Sequence, residues 1–343
     1  MAWLLRQQKC AGLIGNSGRD PQPPDLPIAG GIFESLGATV EIRRNSFDVS
    51  NTVDTTDHQS VNREVDRILL ELFPQADIHQ LDRCFSDVVR LYRGDDPSYR
   101  ACDTAYHDIQ HVLEVALAMA RLMDGYERSH RIAASIGPRL FVFGVVVALF
   151  HDVGYLRHVN DSRHDNGAEY TTIHVSRGAR FVQRYMGEIG MADLSLVAKE
   201  IIHFTGYERP AARIRVPSAV FRLLGHMLGT ADIIAQMADR CYLEKCRDRL
   251  FPEFVQGGLA ASGKDDIRNG ILFASVEDLI VSTPRFYRTA TARLNEQLGE
   301  AHRYVERHFD GQNLYFEEMQ KNVHYASIVA AEGDLCLLRR SLK

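Results

Sequence analysis

Residues 140–150 form one unbroken apolar stretch, LFVFGVVVALF, and His151 and Asp152 follow it directly. A helix on a protein surface carries polar residues at its 3.6-residue period, and this stretch has none. It is also too short to cross a bilayer, which takes about 20 apolar residues. We therefore predict a buried central helix whose end brings an imidazole and a carboxylate into the interior. A buried carboxylate needs a partner charge or a metal ion.

The composition is that of an ordinary soluble globular protein. Of 343 residues, 45% are hydrophobic and 25% are charged, and the formal net charge is -5. This charge argues against nucleic-acid binding, and no membrane association is expected. The six cysteines include no CxxC pair, so neither a disulfide framework nor a thiolate zinc site is indicated. The simplest compartment is the cytoplasm.

Two regions differ in composition. Residues 1–60 are rich in Gly, Pro, Ser, Asn and Asp, which predicts a flexible or loosely docked leader. From residue 61 onward, apolar residues recur at helical spacing and no strands alternate with the helices. We predict a single all-α domain over residues 61–343, a helical bundle around the buried helix. Its motif-bearing part covers about 61–250, and C-terminal helices fill 251–343. Within the motif-bearing part, residues 218–250 are predicted to form one long helix.

Four ionisable residues lie in apolar surroundings on three predicted helices: His111, the adjacent pair His151 and Asp152, and Asp232. Imidazole and carboxylate groups from separate helices can converge on one divalent cation. Because no cysteine is among them, the ligand set favours Mn, Fe, Zn, Mg or Co. The sequence therefore predicts a metal centre inside the bundle.

Three segments resemble the HD superfamily of metal-dependent phosphohydrolases: YHDIQHVLEV (106–115), HDVGY (151–155) and TADII (230–234). The first is similar to a segment of cyclic-nucleotide phosphodiesterases, with Asp108 where that family has Asn and Glu114 where it has Asp. The resemblance implies an HD-domain fold and makes metal ligands of His111, His151, Asp152 and Asp232. It assigns His107 as the general acid that protonates the leaving oxygen, four residues before His111 on the same predicted helix face.

Members of that superfamily with two metals use two further histidines, and His174 and His203 occupy positions of that kind. One or two cations per chain are thus implied, with Asp152 bridging them as a catalytic residue. His174 and His203 could instead support the ligands or contact substrate. Arg157, Arg163 and Arg177 are candidate phosphate clamps, although a solvated face explains them equally well.

The function implied is hydrolysis of a phosphoester by metal-activated hydroxide, with a nucleotide or cyclic nucleotide as the substrate class. The glutamine and aromatic residues with which mammalian-type phosphodiesterases clamp a purine are not found, which leaves the cyclic-nucleotide substrate open. Two alternatives remain: a di-iron oxygenase of the same fold and a nucleotide-sensing module. The expected partner is a small phosphoester, and a homo-oligomer is left open.

Overall fold

The computed structural model describes residues 42–130, 134–263, 266 and 270–342. Within these residues the protein is all-α, and strand pairing is limited to three isolated bridges, so the predicted fold class is confirmed. The α-helices are α1 (His58–Leu72), α2 (His79–Arg93), α3 (Ile109–Ser129), α4 (Gly137–Leu149), α5 (His174–Glu188), α6 (Ser195–Ile202), α7 (Ala219–Met237), α8 (Tyr242–Lys245), α9 (Phe251–Gln256), α10 (Val276–Val281), α11 (Thr283–Glu296), α12 (Tyr304–His308) and α13 (Leu314–Glu332).

Two helices form the centre of the bundle. Every residue from Phe141 to Phe150 is buried, as the apolar stretch predicted. α4 packs against α2, α3, α6 and α7, and α3 packs against α1, α4, α7 and α12. Residues 137–155 are long and apolar enough to cross a membrane, but most of them are buried inside this bundle. Burial on all sides explains why α4 needs no polar face.

Local signals in the sequence set where α3 begins. Asp108 has extended backbone angles, and its side chain accepts a hydrogen bond from the backbone N–H of His111. Aspartate is a favoured N-cap because its carboxylate satisfies an N–H group that has no partner within the helix. The helix therefore begins at Ile109, and His107 lies in the turn before it. The predicted placement of His107 and His111 on one helical face is wrong for this reason.

The chain turns sharply after α4. His151 and Asp152 lie in a turn, and a short 3-10 helix follows at Val153–Tyr155. The turn packs so closely on α5 that a Cβ at Gly154 would lie 1.9 Å from the backbone oxygen of His174. Only glycine fits there. This contact holds the pair at residues 151–152 next to the first turn of α5.

The predicted long helix over residues 218–250 is divided in the structure. α7 ends at Met237, and α8, a π-helical turn (Cys246–Leu250) and α9 follow after a bend. At the bend, Asp239 accepts a hydrogen bond from the backbone N–H of Cys241 and pairs with Lys245. Aspartate bonded to its own backbone in this way favours a turn over a continuing helix. The bend brings α9 back toward the start of α3.

Part of the predicted leader is packed onto the bundle. Asp48 is buried, accepts hydrogen bonds from the N–H groups of Ser50, Thr52 and Val53, and lies 2.6 Å from the guanidinium of Arg121 on α3. Burial acts to raise the pKa of Asp48, but Arg121 and these hydrogen bonds lower it. Residues 42–57 are thus held more tightly than their composition led us to expect. Residues 1–41 lie outside the described residues.

Asp66 on α1 gives the stability a pH dependence that can be measured. Its side chain is buried, one carboxylate oxygen has no hydrogen bond, and burial together with nearby Asp82 raises its pKa from 3.8 to about 7. The folded protein keeps a proton at Asp66 that the unfolded chain loses, so the free energy of unfolding falls as pH rises through this interval. Replacing Asp66 by Asn removes this loss.

We expect Asp66→Asn to raise the free energy of unfolding by about 1 to 2 kcal/mol at pH 8, after allowance for solvent screening, and by less at pH 5. Urea unfolding at both pH values measures the change. Asp77→Asn, at an exposed position, serves as the control. Equal effects of Asp66→Asn at the two pH values would contradict the assignment.

Candidate metal centre

Four side chains from three parts of the chain meet in the interior. His111 Nε2 lies 3.5 Å from Asp152 Oδ2 and 3.4 Å from Asp232 Oδ1. His151 Nε2 lies 3.3 Å from Asp152 Oδ2 and 3.9 Å from Asp232 Oδ1. Ligand atoms of His111, His151 and Asp152 all lie within 4.8 Å of one another. The structure thus brings together the four residues that the sequence singled out.

Each of these residues is supplied by a rigid element. His111 is in the first turn of α3, directly after the Asp108 cap, and Asp232 is in the middle of α7. His151 and Asp152 come from the turn after α4. The side chains of His111, His151 and Asp152 are at most 6% exposed, and that of Asp232 is 21% exposed. Since α3 and α7 pack against each other, the site lies where these helices and the turn after α4 converge.

The hydrogen bonds of His151 fix its tautomer. Its Nδ1 lies 2.8 Å from the backbone oxygen of Ala148, and a carbonyl oxygen can only accept, so Nδ1 carries the proton. The lone pair of Nε2 then points toward Asp152 and Asp232. Nε2 is buried and makes no hydrogen bond, although Asp152 Oδ2 is near. This tautomer, with the second ring nitrogen bonded to a backbone oxygen, is the one that metal-binding histidines adopt.

The two carboxylates dominate the electrostatics of this group. Burial acts to lower the pKa of His111, but Asp152 and Asp232 outweigh burial and raise it to about 10. Asp152 raises the pKa of His151 against burial in the same way. The pKa values of Asp152 and Asp232 are lowered, against burial, by the neighbouring histidines. In the metal-free protein a proton therefore takes the position between these groups that a cation would otherwise hold.

Asp152 has a second face, and His174 lies on it. His174 Nε2 lies 3.6 Å from Asp152 Oδ1, whereas Oδ2 faces His111 and His151. The Nδ1 of His174 donates to the backbone oxygen of Thr171 at 2.7 Å, which leaves Nε2 with a lone pair. Burial, with His107 adding to it, lowers the pKa of His174 against the effect of Asp152, so the ring is neutral. The two oxygens of Asp152 thus face two different sets of imidazoles.

His203 is placed differently. It follows the end of α6, and its side chain is buried, but no carboxylate of the described residues lies within 4 Å of its ring nitrogens. It does not line the cavity described below. Burial, with Arg209 and Lys199 adding to it, lowers its pKa to about 4. The structure therefore does not bring His203 to the face of Asp152 where His174 lies.

A cavity of about 320 Å³ opens onto the two carboxylates. His107, Asp152, His174 and Asp232 lie on its polar side. The other side is lined mainly by apolar and aromatic residues: Val175, Tyr207, Ile233, Leu250, Phe254 and Leu259. Glu208 and Gln236 also reach the cavity. Among its described lining residues there is no Lys or Arg, so the charged side chains there are carboxylates.

His107 lies at the cavity with its ring held from two sides. Its ring stacks on Tyr155 at 4.4 Å between centroids, and Tyr155 stacks on His174 at 4.3 Å. The Nδ1 of His107 contacts the carboxylate of Glu253, which is fully buried and also accepts a hydrogen bond of 2.8 Å from the backbone N–H of Tyr106. A carboxylate at Nδ1 fixes the ring orientation and leaves Nε2 for the cavity.

Glu253 was not found in the sequence analysis. It lies in α9, 146 residues after His107, and reaches it because the chain bends after α7. The signal in the sequence was weak: a single glutamate in the segment FPEF, between two aromatic residues. Its burial could have been suspected from these neighbours, but its partner could not.

The three arginines predicted as phosphate clamps do not line this cavity. Arg157 pairs with Asp103 at 2.7 Å and donates to the backbone oxygen of His164. Arg177 donates to the backbone oxygens of Gly154 and Leu156, and Arg163 is exposed. Arg157 and Arg177 therefore hold loops together, and the expectation that they reach a phosphate at the carboxylates is not met.

The donor set suits a divalent cation. Imidazole nitrogen and carboxylate oxygen suit the borderline and harder divalent ions, and the buried Nε2 of His151 has no hydrogen-bond partner to compete with an ion. The separations of 3.3 to 3.9 Å between nitrogens and oxygens are too long for good hydrogen bonds. The residues present thus fit a metal ion, and the ion would balance two buried carboxylates.

No protein-family model matches the chain, and no curated protein matches it. Among solved structures, the phosphodiesterase domain of the RhoPDE fusion protein from the choanoflagellate Salpingoeca rosetta matches at a TM-score of 0.46 and 13% sequence identity, over 86% of this chain and 97% of that chain. A likeness of that size carries no argument about function, so the site has to be understood from its own geometry.

Binding of Mn²⁺ or Zn²⁺ tests the site directly. Because a cation must displace the proton at His111, we expect the affinity to rise between pH 6 and pH 8. Asp232→Asn removes one negative ligand and should weaken binding at least tenfold. Isothermal titration calorimetry on protein first stripped with a chelator measures both effects.

Asp95→Asn is the matched control, since Asp95 is exposed. It should bind the cation like the wild type. Unchanged affinity and stoichiometry in Asp232→Asn would show that the cation binds elsewhere.

Proposed function

We propose that the protein is a metal-dependent phosphohydrolase of the phosphodiesterase type, acting on a nucleotide or cyclic nucleotide. The observation that carries the proposal is the convergence of His111, His151, Asp152 and Asp232 next to a cavity that Asp152, Asp232 and His107 line. A ligand set for a divalent cation, a proton donor and a space for substrate are the parts that phosphoester hydrolysis requires.

The charges of the cavity support metal dependence. Asp152, Asp232 and Glu208 line it, and no Lys or Arg does so among the described residues. An anionic phosphoester would be repelled by these carboxylates unless cations balanced them. His111, His151, Asp152 and Asp232 would hold one ion, and His174 with the second oxygen of Asp152 could contribute to another. The ion, when bound, supplies Lewis-acid polarisation of the phosphoryl group and lowers the pKa of a coordinated water.

The protein's own residues supply the proton and the orientation. Glu253 accepts the Nδ1 proton of His107, and Tyr155 holds the ring by stacking, so Nε2 points into the cavity. In its cationic form, balanced by Glu253, His107 carries a proton at Nε2 for the leaving oxygen. Burial raises the pKa of Tyr155 far above its usual range, so the phenol stays neutral and serves as packing.

The shape of the cavity supports a substrate with an apolar or planar portion. The phosphate would lie at the carboxylate side, which leaves the side of Phe254, Ile233 and Leu259 for the remainder. A volume of about 320 Å³ is at the lower end of the range for small-molecule sites, which suits a mononucleotide better than a polymer. That size and lining support the substrate class in this proposal.

The di-iron oxygenase is the weaker alternative. It was favoured by the pairing of His174 with His203 as iron ligands. His203 has no carboxylate of the described residues within 4 Å of its ring nitrogens and does not line the cavity. Hydrolysis is therefore better supported than an oxygenase reaction.

Hydrolysis of bis(p-nitrophenyl) phosphate and of a panel of cyclic nucleotides, with Mn²⁺ present, tests the proposal. His107→Ala removes the proton donor and should lower kcat about 10²- to 10⁴-fold while leaving the bound metal unchanged. Glu253→Gln should lower kcat less, because the amide oxygen can still accept a hydrogen bond from Nδ1 of His107 and so keeps part of the ring's orientation. Metal content is measured in every variant.

His324→Ala, at an exposed position on α13, is the control and should leave kcat unchanged. Wild-type protein that holds metal but hydrolyses none of these phosphodiesters would contradict the proposal. Full activity in His107→Ala would show that His107 is not the general acid.

A further inference from the structure

A second cleft lies beside α5 and shares no lining residue with the cavity at the carboxylates. It has a volume of about 250 Å³. One wall is α5 itself. The other is formed by two paired segments. In these segments, Tyr99 and His158 form an isolated antiparallel bridge, and their rings contact each other at 4.3 Å between centroids with a tilt of 30°. Its floor is the turn at residues 153–156, which follows Asp152.

The charged side chains that line this cleft are cations. Arg177, Arg180 and Arg184 fall at i, i+3 and i+7 on α5 and so share one helical face. His158 adds a ring that can be protonated. No Asp or Glu is among the described lining residues. Three guanidinium groups directed at one space repel one another unless an anion lies between them.

Arg177 is the most informative of the three. Its Nε and one terminal nitrogen donate to the backbone oxygens of Gly154 and Leu156, and its guanidinium lies 3.4 Å over the ring of Tyr170. No carboxylate of the described residues lies within 4 Å of it, and burial lowers its pKa. A partly buried cation that is bonded only to neutral groups gains from an anionic partner.

The carboxylates nearest to the cleft have other partners. Asp87 accepts hydrogen bonds from Arg90 and from the hydroxyl of Tyr185, and Asp96 lies 3.8 Å from Arg90. Asp161, whose charge also acts on Arg177, accepts hydrogen bonds from His164 and Tyr170. Glu188 lines the adjoining depression together with Arg184. Glu188 thus lies near Arg184 in that depression, but it does not line the cleft itself.

We propose that this cleft binds the phosphate group of a small phosphorylated molecule, as a second anion site separate from the metal centre. A guanidinium group can donate two hydrogen bonds to two oxygens of one phosphate. Three guanidinium groups therefore suit a phosphate dianion better than they suit a carboxylate, which carries a single negative charge. The exposed ring of His158 at the rim offers a surface for a base or sugar attached to that phosphate. The assignment does not depend on which reaction the metal centre catalyses.

Arg180 and Arg184 are the residues to change, because both are exposed and neither holds the backbone. Arg177 is unsuitable, since its hydrogen bonds support the turn beside the metal ligands. We expect the double variant Arg180→Gln, Arg184→Gln to bind inorganic phosphate at this site at least tenfold more weakly than the wild type. The double variant should keep its bound metal. Isothermal titration calorimetry on the full, metal-loaded chain measures affinity and stoichiometry, with inorganic phosphate and adenosine 5′-monophosphate as probes.

The matched control is the double variant Arg63→Gln, Arg67→Gln, which also removes two positive charges, from an exposed face of α1. It should bind phosphate like the wild type. Asp152→Ala disables the metal centre and should leave this second binding event in place. Tighter binding of adenosine 5′-monophosphate than of phosphate supports a nucleotide as the source, and equal binding supports phosphate alone.

Wild-type phosphate binding in the Arg180→Gln, Arg184→Gln protein would overturn the proposal. So would complete loss of phosphate binding in Asp152→Ala, because all binding would then belong to the metal centre. A failure of phosphodiester hydrolysis bears only on the proposed function, since these titrations do not measure turnover.

Discussion

The carboxylate of Asp152, buried at the end of an apolar helix, is the constraint on which the rest of this structure depends. The buried part of α4, Phe141–Leu149, has no polar residue with which to balance it, so its partners come from elsewhere: His111 from α3, His174 from α5 and the adjacent His151. Asp232 adds a second negative charge. Two carboxylates among three imidazoles are balanced by protons or by a metal cation, and the same geometry accommodates either. α3 and α7, which deliver His111 and Asp232, both pack against α4.

The two proposed anion sites differ in the charges that line them. The cavity at Asp152 is lined by carboxylates and would take a phosphoester only with cations present, whereas the cleft beside α5 is lined by arginines and would need none. α5 contributes to both, with His174 in its first turn next to Asp152 and with Arg177, Arg180 and Arg184 lining the cleft. Because Gly154 packs directly on the backbone of His174, the two sites share one turn of chain.

The sequence was sufficient for the all-α class, the buried helix and the convergence of four ionisable residues. Each of these follows from a strong signal: an apolar run with no polar period, or a charged residue inside an apolar helix. The rest depended on contacts distant in sequence. Glu253 reaches His107 only because Asp239 ends the predicted long helix, and His107 precedes α3 because Asp108 caps it. Arg157 and Arg177 bind backbone oxygens, and a sequence does not reveal which backbone oxygens an arginine binds.

Anomalous diffraction from a crystal of the Mn²⁺-loaded protein, recorded at the manganese absorption edge, tests the central claim most directly. The account predicts a peak enclosed by the Nε2 atoms of His111 and His151 and by carboxylate oxygens of Asp152 and Asp232. The absence of a peak there, with the four side chains in the positions described, would mean that they form ion pairs only. The proposed chemistry would then have no metal centre.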